Sequence, residues 1–417
     1  MSKTYFNISD KLRLYEFDGM LDQYGDAAAA YSLRKLRNGY TGNAIRVRRS
    51  SDNTERDMGF YNNELDTVAL LDWVNADHIK YESDFRLGGD NFSTLELQQL
   101  NGESIAGEDN AAKFTLTGGL NSHYAYRGPT TIGQTMKVTG RYYIPSTNAS
   151  CNAIRISGGS SEFIFANTLD EWAEFEHITT ATVSYVIFRA ANGTNTDFDG
   201  DGDVFYLKDL VYTQITADGH VHTWYDQSAN ANHAVQGTAT AQPKIVDAGA
   251  VVTEGGKPAI TMDGVDDTFL LTSSITSTDY SVLTTLNLDD TFQTSSYGGL
   301  INESSGSTSG FIYHHGQGYN WRDAGSYHKL VHPVSTTGQH LLFMTVNSTT
   351  GNGYINGQLS KTNVSIANNN LTFGELFGDA FGSLIKANVQ ELVLYTDYRQ
   401  GEQDDFMGNA NTYYEIY

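Results

Sequence analysis

Short runs rich in Thr, Val, Ile, Tyr and Phe, bounded by Gly, Asn, Asp or Ser, recur through most of this sequence. Residues 44–49 show the pattern clearly, because Ile45 and Val47 share one face while Arg46 and Arg48 share the other. Alternation with a period of two is typical of half-buried strands, and the bounding residues are typical of turns. The chain has 41 Gly but only 5 Pro among its 417 residues. We therefore predict an all-β protein.

Helix signals are confined to three short segments. In residues 26–37 an aspartate can cap a helix, four consecutive alanines have high helix propensity, and Leu33 and Leu36 share a face. Residues 66–75 and 402–413 carry the other two signals. We expect a small helix-containing segment near the N-terminus of an otherwise all-β chain.

The charge balance excludes several classes of partner. The chain has 49 Asp and Glu against 26 Lys and Arg, a formal net charge of −23. Nucleic acid and anionic membranes attract basic surfaces, so we expect neither as a partner. The N-terminus lacks the apolar core of a secretory signal, and no run approaches the roughly 18 apolar residues of a membrane-spanning helix. We expect synthesis in a cytosol without membrane insertion.

The single cysteine, Cys151, excludes an intramolecular disulfide and a zinc site of the CxxC type. No histidine neighbours it in the sequence to activate a nucleophile. We expect Cys151 to be a small buried thiol. Stability must then come from packing or from neighbouring subunits.

The middle of the chain has the character of an insertion. From about residue 85 the sequence is purely strand-like, and two similar sequences, NADH at 75–78 and TADGH at 216–220, bracket this block. A second strand-rich block extends from about residue 245 to the end. We therefore predict tandem β-sandwiches, the first of them an inserted jelly roll.

Three motifs become adjacent when the insertion is removed: AYSLRKLRNGYTGNAIRVRRSSDN (30–53), ELDTVALLDWV (64–74) and HTWYDQSANANHAVQ (222–236). In this order they resemble a segment of the arabinofuranosidase B catalytic domain that also occurs in many virion proteins of tailed bacteriophages. For the WYDQS loop the residues themselves favour an architectural role. Trp224 and Tyr225 can anchor the loop in a core, while Asp226 caps backbone amides.

Further motifs are similar to the concanavalin A-like, laminin-G-type sandwich that follows this segment in phage proteins: DGVDDTFL (263–270), GYINGQ (353–358), VQELVLYT (389–396) and NANTYYEIY (409–417). Within the insertion, residues 169–190 and 201–215 are similar to the closing strands of jelly-roll carbohydrate-binding modules. The two resemblances imply lectin-like sandwiches.

These observations define four expected segments. Residues 1–22 form an N-terminal arm, and 23–78 together with 218–245 form the arabinofuranosidase-B-like helix and strand segment. Residues 79–217 form the inserted jelly roll, and 246–417 form the concanavalin A-like sandwich.

Glycan binding has one candidate stretch in the second sandwich. Sandwich lectins use exposed aromatic faces flanked by polar side chains, and residues 313–328 have that composition. The candidates are His315, Tyr319, Trp321, Asp323 and Tyr327. The alternative is that these aromatic residues pack within or between subunits, as most aromatic residues of β-proteins do.

Calcium has one candidate loop. Asp197, Asp199 and Asp201 match the start of a DxDxDG calcium loop, and Asp209 lies near the position of a final acidic ligand. Lys208 stands where the bidentate Glu of such a loop belongs. An unliganded acidic turn between two strands fits the same residues, so calcium and no cofactor both stay open.

Catalysis is not expected. Glycosidases need two facing carboxylates, and Glu303 and Asp323 are acidic residues in suitable loops, but a chain with 49 carboxylates provides such pairs by chance. The arabinofuranosidase family carries its catalytic motifs beside a disulfide, which a lone Cys151 cannot form. We predict no enzyme and no catalytic residue, with a glycoside hydrolase acting on arabinose-containing or other polysaccharide as the alternative.

Together these features predict a structural protein of a tailed-phage virion: a capsid decoration or head fibre protein, or a tail component. The expected partners are other virion proteins, further copies of this chain, and glycans of the host or the environment. Its place would be the virion, after synthesis in the host cytoplasm.

Overall fold

The computed structural model describes residues 19–118, 123–166, 168–289, 297–303, 309–314, 318–323, 326–331, 338–366, 371–378 and 384–417. The chain forms two compact units. Unit 2 comprises residues 72–218, and unit 1 comprises the residues on either side of it. None of the described helices combines the length and the apolar character needed to cross a bilayer. The predicted N-terminal arm, 1–22, lies mostly outside the described residues.

The structure confirms the all-β class. In unit 1 before the insertion the elements are α1 Met20–Gln23, β1 Ala29–Ser32, β2 Ile45–Arg49, β3 Glu55–Met58, β4 Phe60–Tyr61, β5 Glu64–Leu65 and α2 Thr67–Val74, which continues into unit 2. Unit 2 contains β6 His78–Glu82, β7 Ser93–Leu95, β8 Leu97–Ile105, β9 Glu108–Leu116, β10 Tyr124–Arg127, β11 Thr135–Tyr143, β12 Ala153–Ser157, β13 Phe163–Ala166, β14 Ala173–Thr180, β15 Val186–Ala191 and β16 Val204–Gln214.

Unit 1 then resumes. Its remaining elements are β17 Gly219–Trp224, β18 Ala234–Val235, β19 Lys244–Asp247, β20 Ala250–Val251, β21 Thr253–Glu254, β22 Lys257–Pro258, β23 Ile260–Asp263, β24 Phe269–Ser277, β25 Tyr280–Leu288, β26 Tyr297–Glu303, β27 Gly310–His314, β28 Gly318–Asp323, β29 Ser326–Val331, β30 Gln339–Val346, β31 Thr350–Ile355, β32 Gln358–Ser365, β33 Leu371–Leu376, β34 Lys386–Tyr395 and α3 Gln403–Tyr414.

Unit 2 is a sandwich of two antiparallel sheets. One sheet has the order β13–β12–β15–β10–β7, and the other has the order β14–β11–β16–β9–β8, with β6 also pairing with β16. Aromatic side chains fill the space between them. Phe175 of β14 and Phe188 of β15 come from different sheets, and their ring centroids lie 6.2 Å apart. Their burial supplies much of the hydrophobic stabilisation that closes this sandwich.

The described strands of unit 1 form two long antiparallel runs and a shorter one, β3–β2–β17, whose β17 also pairs with β18 and β19. In the first, β34 pairs on one edge with β1 and β23 and on the other with β25, and the run continues through β30, β31 and β32. The second has the order β18–β24–β33–β26–β27–β28–β29. The ring of Tyr280 in β25 lies 4.6 Å from that of Phe373 in β33, so side chains from the two runs share a core.

The structure corrects the predicted boundary inside unit 1. Residues 23–78 and 218–245 were expected to form a segment separate from the sandwich at 246–417. Instead β1 pairs with β34 over four residues, and β18 pairs with β24, so that strands from both segments belong to one unit. The compact inserted unit begins at residue 72 rather than 79 and ends at 218 rather than 217.

Two of the three expected helices are confirmed, as α2 and α3. The helix expected over 26–37 is wrong, because Ala29–Ser32 form strand β1, all four residues of which are buried. Backbone pairing with β34 satisfies the N–H and C=O groups on one edge of this segment. On its other edge, Ala30 N–H donates to Asp226, and Gln227 donates to the carbonyl oxygens of Ala30 and Ser32. Together these bonds override the helix propensity of the alanines.

Candidate functional site

The aromatic residues singled out in β28 do not form an exposed platform. Tyr319 and Trp321 are fully buried, and the Trp321 ring lies 4.8 Å from that of Phe311 and 5.6 Å from that of Tyr280. Successive residues of a strand point to opposite faces, and the two large rings take the core face. The prediction of sugar-binding rings is therefore wrong for Tyr319 and Trp321.

Of the other three candidates, Tyr327 is half-buried in β29. Its ring lies 4.8 Å from that of His314, which in turn stacks at 5.3 Å on Tyr297. The guanidinium of Arg322 lies 5.0 Å from the Tyr327 ring. His315 and the side chain of Asp323 lie outside the described residues. Tyr327 thus belongs to an aromatic row on the face opposite the core.

The four predicted calcium ligands do not come together. Asp197, Asp199 and Asp201 are exposed in the turn before β16, while Asp209 lies within that strand and is 3.8 Å from Arg141. Among the carboxylates that the structure describes, these four form no group close enough to share a cation. The buried Asp203 organises the region instead, because its oxygens accept hydrogen bonds from the backbone N–H groups of residues 149–151. This ligand set does not fit calcium.

A different acidic cluster does converge. One carboxylate oxygen from each of Asp263, Asp266 and Asp267 lies within 4.8 Å of the others. Asp267 is buried and accepts a hydrogen bond from the N–H of Asp263 at 2.8 Å. Burial, helped by the charges of Asp263 and Asp266, raises the pKa of Asp267 to about 7. The contact of Asp267 is that of a turn-capping side chain.

The WYDQS loop is a structural clamp, as the sequence predicts. Trp224 is fully buried. Asp226 Oδ1 accepts hydrogen bonds from the N–H groups of Ala30 and Ser228, both at 2.8 Å, and Oδ2 accepts one from the N–H of Asn232 at 2.8 Å. The amide of Gln227 bonds the backbone of residues 32, 34 and 36. These bonds fix the loop against β1 and the residues after it.

Cys151 is a buried thiol, which confirms its prediction. Burial raises its pKa to about 12, so the reactive thiolate is scarce at neutral pH.

The strongest candidate site is one that sequence reasoning missed, on the outer face of the five-stranded sheet of unit 2. Register places Tyr124 of β10 opposite Arg189 of β15, and Arg189 opposite Arg155 of β12. The next row on the same face contains Tyr126 and Ile187. In β15 the intervening residues 186, 188 and 190 are buried in the core, which directs Ile187 and Arg189 outward.

Three half-buried tyrosines, Tyr124, Tyr126 and Tyr185, form the centre of this surface. Together with Arg189 they make up what we call the tyrosine face. The ring of Tyr126 lies 4.9 Å from that of Tyr185 and 6.1 Å from that of Tyr124. A groove of about 380 Å³ adjoins the rings, lined by Asn91, Ser93, Tyr126, Arg127, Gly128, Ser184 and Tyr185. Aromatic surface next to amide, hydroxyl and guanidinium groups is the chemistry of a small-ligand groove.

Cationic side chains flank the rings. The guanidinium carbon of Arg189 lies 5.6 Å from the Tyr124 ring centroid, within the range of a cation–π contact. Arg155 forms an ion pair with Glu162, and Arg127 forms one with Asp90 at 3.1 Å. The face therefore offers flat apolar rings together with directed donors, which can bind a ligand that is apolar on one side and rich in oxygen at its edge.

One signal in the sequence could have identified part of this face. YAYR at 124–127 has tyrosines two residues apart with an alanine between them, so the two rings can be placed on one face from the period of two. YVIFRA at 185–190 has apolar residues on both faces and gives no such signal. Their assembly into one surface depends on the pairing of β10 with β15, which no local pattern reveals.

The comparisons with known proteins give no family. No family model matches this sequence, and no curated protein matches it. Among solved structures, the chain is similar to "BiXyn10A CBM1 APO" at 15% identity and a TM-score of 0.23, covering 33% of this chain and 98% of that one.

Two further solved structures extend this finding. The CBM22-1 xylan-binding domain of Paenibacillus barcinonensis Xyn10C is 8% identical at a TM-score of 0.25, covering 34% of this chain and 98% of that one. A Trypanosoma rangeli sialidase is 11% identical at a TM-score of 0.33, covering 78% of this chain and 64% of the sialidase. At TM-scores this low, the likenesses carry no argument about function.

Proposed function

We propose that this chain binds glycans through the tyrosine face of unit 2, without cleaving them. The observation that carries the proposal is the set of three adjoining half-buried tyrosine rings, Tyr124, Tyr126 and Tyr185, on one sheet face. A sugar ring has an apolar face of C–H groups and an edge of hydroxyl groups. The tyrosine rings offer a surface for the first, and the polar lining of the groove offers hydrogen-bond partners for the second.

We further propose that the chain is a structural protein of a tailed-phage virion, displayed as a decoration, head fibre or tail component. The support is the order of the motifs at 30–53, 64–74 and 222–236, which resembles phage virion proteins. The formal charge of −23 suits a surface that faces outward and stays soluble by self-repulsion. Other virion proteins and further copies of this chain are its proposed partners.

Glycan binding is tested by calorimetric titration of the purified chain with neutral and acidic oligosaccharides. We expect saturable binding of at least one, and a loss of roughly tenfold in affinity in Tyr126→Ala and in Tyr185→Ala. The matched control is Tyr61→Ala, which removes an exposed tyrosine of unit 1. Equal affinity in all four proteins would contradict the assignment of the face.

The virion role is tested by quantitative mass spectrometry of purified particles. Hundreds of copies per particle would indicate decoration, and about a dozen or fewer would indicate the tail. Absence of the chain from particles would refute the proposal.

The absence of cleavage has its own measurement, the release of reducing sugar from arabinan and from each glycan that binds. We expect none. Release that disappears in Glu303→Gln would instead establish the glycoside hydrolase.

A further inference from the structure

We infer that the glycan bound at the tyrosine face carries a carboxylate, which pairs with Arg189. This inference rests on the proposed function and specifies its ligand. It follows from the electrostatics of one row of residues across β12, β15 and β10, namely Arg155, Arg189 and Tyr124.

Arg189 differs from the other two arginines near the face. Arg155 is neutralised by Glu162, and Arg127 by Asp90. Within the part of the chain that the structure describes, Arg189 forms no hydrogen bond and no ion pair, and its Nε is buried without a partner. Its guanidinium makes a cation–π contact with the Tyr124 ring. Arg189 therefore keeps an uncompensated charge beside the stacking rings.

The neighbour of Arg189 makes this charge costly. Directly opposite residues of antiparallel strands have Cβ atoms about 5 Å apart, and like charges at that distance destabilise the pair. Arg155 is the residue opposite Arg189 on β12. Glu162 compensates the charge of Arg155 but not that of Arg189. The carboxylate of a bound ligand would compensate the charge of Arg189.

A carboxylate matches Arg189 better than a compact anion does. The guanidinium is planar and presents its N–H donors as a fork that fits the two oxygens of a carboxylate. Contact with the Tyr124 ring fixes the orientation of the guanidinium, while Tyr126 and Tyr185 offer a surface for the sugar itself. A sugar acid, such as a uronic or sialic acid residue within a chain, combines both features.

The experiment measures binding of the full chain to a panel of glycans. Each carboxylated glycan in the panel has a neutral counterpart. The carboxylated probes are polygalacturonate, alginate, hyaluronan, polysialic acid and glucuronoxylan, each paired with its carboxyl-reduced form. Neutral xylan, arabinan and sulfated dextran complete the panel. We expect at least one carboxylated glycan to bind, and its reduced form to bind at least tenfold more weakly.

Variants then assign the effect to the residue. Arg189→Gln should lower affinity for the carboxylated glycan at least tenfold and lower affinity for its reduced form by a much smaller factor. Arg189→Lys should lie between, because it keeps the charge and loses the fork. The control Arg86→Gln makes the same change in net charge at an exposed arginine that pairs with Asp84. Raising the salt concentration should weaken binding of the carboxylated glycan more than that of the reduced form.

The outcomes distinguish carboxylate recognition by Arg189 from glycan binding at the tyrosine face. Equal binding of carboxylated and reduced glycans, or binding of neutral xylan or arabinan alone, would overturn the carboxylate and leave glycan binding standing. Binding of sulfated dextran alone would also overturn it. No binding across the whole panel would overturn both proposals.

Discussion

The guanidinium of Arg34 is bound to the carboxylate of Glu391 by two parallel contacts, with Nε 2.7 Å from Oε2 and Nη2 3.0 Å from Oε1. The two residues are 357 positions apart, and both side chains are almost entirely buried. Ser32 and Tyr414 donate further hydrogen bonds to Glu391. Burial lowers the pKa of Arg34, but the charge and hydrogen bonds of Glu391 outweigh it and raise that pKa above its usual value. This pair ties the AYSLR motif to strand β34.

Removing one charge of the buried pair should be severely destabilising. We expect Glu391→Gln to lower the free energy of unfolding by about 3–5 kcal/mol, because Arg34 is then buried without its counter-charge. The measurement is calorimetric unfolding of the full chain. The control is Glu402→Gln, which breaks the more exposed pair with Arg399 and should cost less than about 1 kcal/mol. Equal effects of the two variants would contradict this account.

The clamp at Asp226 makes a second prediction. Asp226→Asn replaces one acceptor oxygen with an N–H₂ group that faces existing donors, so we expect a loss of about 2–3 kcal/mol. Ser228→Ala removes only the hydroxyl that bonds Asp226 and should cost roughly 1 kcal/mol. Denaturant unfolding measures both. A loss in Asp226→Asn no larger than in Ser228→Ala would argue against the clamp.

Trp321 should behave as a core residue. Because its ring is fully buried against Phe311 and Tyr280, we expect Trp321→Ala to lower the free energy of unfolding by about 3–5 kcal/mol. Tyr327→Ala, on the opposite face of the same sheet, should lower the free energy of unfolding by less. Thermal unfolding compares the two variants, and a Trp321→Ala protein as stable as the parent would place this ring outside the core.

Asp267 makes stability depend on pH. Its pKa is raised from 3.8 to about 7 on folding, so the folded state favours the protonated form. The contribution of protonated Asp267 to the free energy of unfolding is therefore complete below about pH 4 and is lost as the pH rises to about 7. Asp267→Asn removes this loss, so we expect it to exceed the parent protein in stability by roughly 1–3 kcal/mol at pH 8 and to match it at pH 4.

The measurement is the unfolding midpoint of both proteins between pH 4 and pH 8. The control Asp247→Asn makes the same change at an exposed carboxylate, which pairs with Lys244 at 2.7 Å. A difference between Asp267→Asn and the parent that stays constant from pH 4 to pH 8 would contradict the raised pKa of Asp267.

The sequence predicts the strands well because their signal is local. Helices α2 and α3 and the burial of Trp224 and Cys151 also follow from local pattern and residue type. The helix expected over 26–37 fails because β1 is held by β34, whose sequence lies more than 350 residues away. Propensity cannot anticipate a partner at that distance.

The site shows the same limit. Composition drew attention to residues 313–328, yet the described side chains of β28 are buried on both faces, and the rings of Tyr319 and Trp321 lie on the core face. The tyrosine face was missed because it joins β10 to β15, which are separated by more than 50 residues. Pairing across strands, not residue type, creates this surface.

The two ends of unit 2 lie side by side. Strand β6 pairs with the end of β16, and the N–H of Ala217 donates to the side chain of Asn75 at 3.2 Å. A domain whose two ends lie together can be inserted into a loop of another domain. One recombination event can therefore replace such a domain without altering the strands that flank it. The proposed ligand surface of unit 2 can therefore be replaced as a whole while the Arg34–Glu391 pair of unit 1 stays unchanged.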